Sequence, residues 1–134
     1  MITRFNHVAI VVPDLEEAAS KYKDILGAKV TESIDYTEHG VSVVFVELEN
    51  TKIELMHPFG ENSPVKKFLE NNINGSIHHI CIEVKDINKA CNDMKKKGVR
   101  ILGDGEPKNG AHNKPVIFLH PKDFYGTLIE LEQE

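Results

Sequence analysis

Only two of the 134 residues are cysteines, Cys81 and Cys91, and no CxxC occurs. Two thiols are too few for a disulfide scaffold. A reducing cytoplasm suits them, as inert packing residues on a strand and a helix. No apolar run is long enough to cross a bilayer, so neither a membrane span nor a membrane partner is expected. The opening MITRFNHVAIVV passes straight into a strand pattern, unlike a targeting peptide. Positive charge is scarce: 16 Lys and Arg stand against 21 Asp and Glu, a net charge of −5, so no nucleic-acid partner is expected. The one basic run, Lys95 to Lys97, reads as the solvated end of a helix. Also absent are a glycine-rich phosphate loop after a strand, GxSxG and HExxH, so Ser/His/Asp chemistry has no local support. What remains, 40% apolar and 28% charged residues, is ordinary globular composition at a length that suits one domain with a true core.

Within that composition the chain repeats itself. NHVAIVVPDLEEA from Asn6 is echoed by HHICIEVKDINKA from His78, which pairs His7 with His79, Asp14 with Asp86 and Ala18 with Ala90. TKIEL from Thr51 is echoed by TLIEL from Thr127, which pairs Glu54 with Glu130. A duplicated module carrying one histidine early and one carboxylate late can bring four ligands to a single centre.

The elements follow the repeat. His7–Val12 alternates as a strand and Pro13-Asp14 ends it. Asp14 is placed to cap a helix, Glu17 completes a capping box, and Gly27 closes the helix. Ala28–Ile34, Val41–Leu48 and Lys52–Met56 read as strands. The second half offers Ser76–Val84, a helix over Ile87–Lys97 stopped by Gly98, then strands at Arg100–Leu102, Pro115–Leu119 and Leu128–Glu132. The modules therefore run roughly 1–57 and 76–134 of a single domain. A short amphipathic helix around Val65–Leu69 joins them as a covering element. Asp104–Lys114 is a long loop rich in Gly and Asn, of the kind that serves function.

Strand parity then separates ligands from packing. Val8, Ile80, Ile53, Leu55, Ile129 and Leu131 face helices, so His7, Glu54, His79 and Glu130 face the opposite, concave side. Unpaired buried charges there are costly, and a divalent cation supplies a reason for them. Two imidazoles and two carboxylates suit a borderline or hard ion with positions left for water or substrate. Among the other histidines, His78 points to the helix side, His39 and His57 flank turns and are expected to be exposed, and His120 ends a strand. His112, in GAHNKP, is the best placed of these to touch substrate.

A duplicated βαβββ module with this His…Glu pattern resembles the vicinal oxygen chelate superfamily. NTKIELMHPFGENSPVKKFLE, IHHICIEVKDI and GAHNKPVIFLHPKDFYGTLIELEQ resemble, more narrowly, its methylmalonyl-CoA epimerase family. The resemblance implies an α+β fold of two tandem modules whose curved four-stranded sheets enclose a metal-binding cleft. It implies His7, Glu54, His79 and Glu130 as metal ligands, with Co²⁺ favoured and Mn²⁺, Zn²⁺ or Mg²⁺ possible. It implies a homodimer, an acyl-CoA substrate, and interconversion of (R)- and (S)-methylmalonyl-CoA between propionyl-CoA carboxylation and a cobalamin-dependent mutase. A processed eukaryotic form would act in the mitochondrial matrix. Glu130 is the expected general base. The second acid is open among Glu54, Glu47, His112 and a metal-bound water, because Val43 stands where some members carry a glutamate. DFYG at Asp123–Gly126 also departs from the small residues common there.

The rival readings are a glyoxalase-I-type lyase or isomerase, an extradiol dioxygenase, and a non-catalytic small-molecule binder of the bleomycin-resistance kind. A fourth ligand counts against the dioxygenase, which favours two histidines and one carboxylate. A bound divalent ion would count against the binder.

Overall fold

Asp14 and Asp86 do the same work in the two halves. Each sits in extended backbone (φ −143° and −144°) and accepts the backbone N–H three residues on, Glu17 and Lys89, at 2.9 Å. These caps satisfy orphan donors and start the helices where the sequence placed them. The computed structural model describes residues 1–134. Its strands are β1 (Ile2–Val11), β2 (Lys29–Val30), β3 (Ile34–Tyr36), β4 (Val41–Glu47), β5 (Lys52–Pro58), β6 (Ser76–Val84), β7 (Lys108–Asn109), β8 (Pro115–Leu119) and β9 (Ile129–Gln133). Its helices are α1 (Leu15–Ser20), α2 (Lys66–Asn71) and α3 (Ile87–Lys96). α1 widens into a π-helical turn over Lys21–Ile25, so the span expected to end at Gly27 is helical but not uniform. No helix is long and apolar enough to cross a membrane.

Two compact units divide the chain. The first is His7–His78; the second is His79–Glu134 together with Met1–Asn6. The connecting segment thus belongs with the first half, and the leading residues of β1 belong with the second.

In the first unit β1 runs parallel to β5, and β4 lies antiparallel beyond it. One face of this sheet packs on α1. Val12, Val44, Val46 and Leu55 are buried there, with Leu15, Ala18 and Tyr22 against them. Fully burying a side chain such as Leu55 contributes about 1.5–3 kcal/mol. On the other face, Ala9, Val11, Val43 and Met56 pack with Val65, Phe68 and Leu69, so α2 is the covering element expected from its sequence.

In the second unit β6 runs parallel to β9, and β8 lies antiparallel beyond it. Val84, Ile117, Leu119 and Leu131 pack there on Ile87, Ala90, Cys91 and Met94 of α3. The lysines at the end of α3 are exposed, as expected.

Two expected strands are corrected. Ala28–Ile34 is not continuous, because the Thr31 hydroxyl accepts the N–H of Phe45 at 2.9 Å and displaces the ladder there. Its two pieces, β2 and β3, pair with opposite ends of β4. Arg100–Leu102 likewise makes only an isolated bridge, Ile101 to Leu119. The ladder resumes at β7, which pairs with Val116 and Pro115 from inside the long loop. The split second strand is thus itself repeated between the modules.

Candidate active site

Strand register places the two expected ligand pairs identically in the two units. On β5 and its neighbours Glu54 stands opposite Ala9 and Phe45; on β9 and its neighbours Glu130 stands opposite Cys81 and Phe118. His7 and His79 each lie two residues before that small residue, on the same face as the carboxylate. His7 Nε2 comes within 2.8 Å of Glu54 Oε2, and His79 Nε2 within 3.0 Å of Glu130 Oε2. All four side chains are buried: His7 is 1% exposed and Glu130 7%. Phe118 meets the His79 ring edge-on at 5.5 Å, which fixes the imidazole plane.

A carboxylate buried against an imidazole sits in a poorly solvating place. That is tolerable where a cation is to be bound. Each unit therefore presents one imidazole nitrogen and one carboxylate, a donor set that fits a borderline divalent ion.

The remaining candidates separate clearly. Glu47 shares its face with Glu54 but lies at the end of β4, where Lys29 Nζ holds it at 3.0 Å and its side chain is 43% exposed. His112 is drawn in from the loop: its Nδ1 lies 2.9 Å from Glu132 Oε2. His78 meets Phe68 of α2 edge-on at 4.8 Å, a packing role as expected. His57 is not the exposed turn residue expected. β5 extends to Pro58, and the half-buried His57 ring lies 2.9 Å from the Val12 carbonyl. His39 is also half-buried, 6.4 Å from Tyr36 between ring centres. His120 accepts the N–H of Lys122 at the start of a 3₁₀ turn. In DFYG, Asp123 binds Arg100 and Phe124 packs on the α3 side, away from the ligand face.

Sequence reasoning missed four residues of the second unit's ligand face. Cys81 is fully buried beside Glu130 in register, not merely packing under a helix. Glu83 and Glu132 are opposite one another one step further along β6 and β9, 4% and 2% exposed. Asn6 Nδ2 donates to both, at 2.7 Å and 3.3 Å. The available signal was parity: each carboxylate falls on the ligand side of its strand.

Comparison with known proteins places this geometry. The family model for the glyoxalase/bleomycin resistance protein/dioxygenase superfamily matches residues 6–118, and the chain belongs to that superfamily. It is 62% identical to the ethylmalonyl-CoA/methylmalonyl-CoA epimerase of Cereibacter sphaeroides over 133 residues, 99% of each chain. It is 63% identical to the mitochondrial methylmalonyl-CoA epimerase of Homo sapiens over 130 residues, covering 97% of this chain and 73% of that protein. A solved methylmalonyl-CoA epimerase in complex with methylmalonyl-CoA and NH4+ superimposes with a TM-score of 0.89 at 32% identity, covering 100% of this chain and 96% of that one. The α+β architecture of curved sheet and few helices is that of these epimerases.

Proposed function

We propose that the chain interconverts (R)- and (S)-methylmalonyl-CoA by moving the proton on the carbon between thioester and carboxylate. The observation that carries this reading is the pair of buried His–Glu couples at the same register in the two units. Identity of about three-fifths to curated epimerases along the whole chain supports the substrate.

In this reading His7, Glu54, His79 and Glu130 are the ligands of a divalent ion. When bound, the ion supplies positive charge toward the enolate oxygen that develops as the proton leaves. Glu130 takes that proton. Its burial lowers the water available to compete, and the His79 ring, fixed by Phe118, orients its carboxylate. Co²⁺ is the ion favoured by family resemblance, with Mn²⁺, Zn²⁺ and Mg²⁺ as alternatives. The same resemblance supports a homodimer and a place in propionate metabolism, and the two free cysteines suit a reducing compartment, cytoplasm or mitochondrial matrix.

The competing enzyme is a glyoxalase-type isomerase, which would use the same donor set. Parallel assays separate the two: methylmalonyl-CoA in D₂O, followed at its α-hydrogen, and the methylglyoxal–glutathione adduct. Epimerisation and exchange with the thioester, and no turnover of the adduct, are expected. Turnover of the adduct alone would replace the reading.

A further inference from the structure

The two modules match at the His–Glu couples and part company one step along the same strands. In the first unit the next residues on the ligand face are Val11 and Met56, packed under α2 by Val65 and Phe68. Their counterparts in the second unit are Glu83 and Glu132, both buried. An apolar solution to this packing position therefore exists within the same molecule. Buried carboxylates at the equivalent place cost stability that Val and Met do not, so packing alone does not account for them.

The cluster around them is organised toward one side chain. Arg4 Nε lies 3.2 Å from Glu83 Oε2, and the Asn6 amide bridges Glu83 to Glu132. Asn6 thereby leaves Glu132 Oε2 directed at His112 Nδ1, 2.9 Å away. Nδ1 is engaged, and Nε2 on the opposite side of the ring is buried as well. Glu132 is two residues from Glu130 on one strand, about 7 Å along the same face, and it draws the His112 ring to that face.

We propose that His112 is the second proton carrier of the epimerisation, with Glu132 as the residue that positions it. The proposal rests on the epimerase reading above. Inversion needs a proton removed on one side of the carbon and delivered on the other. Glu130 takes the α-hydrogen as a proton, and the C–H electron pair enters the enolate. The enolate then reforms its carbonyl while its carbon takes the proton from His112 Nε2, breaking that N–H bond. The turnover leaves Glu130 protonated and His112 neutral, and exchange with water restores both. In the reverse direction the roles exchange. A carboxylate on Nδ1 fixes the ring orientation and stabilises the imidazolium, so Nε2 is the nitrogen that gives and takes the proton.

The test uses the metal-restored full chain in D₂O, started separately from each epimer. His112→Gln is expected to keep α-hydrogen exchange with retention from the epimer that Glu130 serves, within tenfold of the parent. Inversion should fall at least 100-fold, and the other epimer should neither exchange nor invert. Inversion within threefold of the parent, or equal loss of exchange and inversion from both epimers, overturns the assignment. The positioning role is read separately in ligand-free protein from the ¹⁵N shifts of the His112 ring. Glu132→Gln, and Glu132→Met copying Met56, are expected to shift the Nδ1 and Nε2 resonances; unchanged resonances overturn that role. Absence of epimerisation in the parent would fail the functional reading and leave the ring spectrum still informative.

Discussion

His79→Ala is the substitution whose consequences the structure specifies most fully. The ring is buried, stands 3.0 Å from Glu130, and rests on the Phe118 edge. Removing it takes a hydrogen-bond partner from a buried carboxylate, a loss of about 1–3 kcal/mol. At roughly 2.1 cal/mol/K per residue the chain unfolds with an entropy of about 0.28 kcal/mol/K, so each kcal/mol moves Tm by about 3.5 °C. The metal-free variant should therefore melt about 4–11 °C below the metal-free parent. Ligand binding adds a second, independent signature. At 100 times its Kd a divalent ion stabilises the parent by about 2.7 kcal/mol, or about 10 °C. The variant, lacking one of the four proposed ligands, should show less than about a third of that increment at the same ion concentration. Melting curves of both proteins, chelator-treated and titrated with Co²⁺ or Mn²⁺, read both effects. An equal metal increment in parent and variant would refute the ligand assignment, and equal metal-free melting would refute the energetic role of the buried couple.

Glu130→Gln keeps an acceptor for His79 and removes the proposed base, so kcat should fall by about 10²–10⁴-fold, measured by coupled epimerisation assay, with the fold retained. Gly75→Ala would bring a Cβ within 2.7 Å of the Val11 carbonyl at a φ of +85°, and should cost about 1–3 kcal/mol in denaturant unfolding. Arg100 holds Asp123 down to about 2 through its side-chain and backbone hydrogen bonds. A depressed carboxylate contributes stability that is complete above its unfolded value near 3.8 and is lost as pH falls toward 2. Asp123→Asn should therefore flatten the acid limb of the stability profile between pH 4 and pH 2, and high salt should reduce the difference.

The buried His–Glu couples were legible because duplication turns two weak signals into one strong pattern. His7 or Glu54 alone reads as an ordinary strand residue; their counterparts at matched positions do not. The caps at Asp14 and Asp86 were legible for a local reason, since a capping side chain acts on a backbone N–H three residues away. What stayed hidden depends on distant partners. Glu83 in ICIEV and Glu132 in IELEQ look like solvent-facing positions of alternating strands, and only Asn6 and Arg4, 77 and 79 residues from Glu83, show otherwise. The break in Ala28–Ile34 was hidden similarly, because Thr31 replaces a ladder bond only when β4 lies beside it. His57 was misread because β5 runs two residues beyond the apolar pattern.

The central proposal is that the epimerisation depends on a divalent ion. It is tested most directly by a stereochemical assay on (S)-methylmalonyl-CoA with protein stripped of metal and then restored. The account predicts negligible conversion to the (R) form by the stripped protein and recovery on addition of a divalent ion. Equal conversion in the two conditions, or none in either, would contradict it.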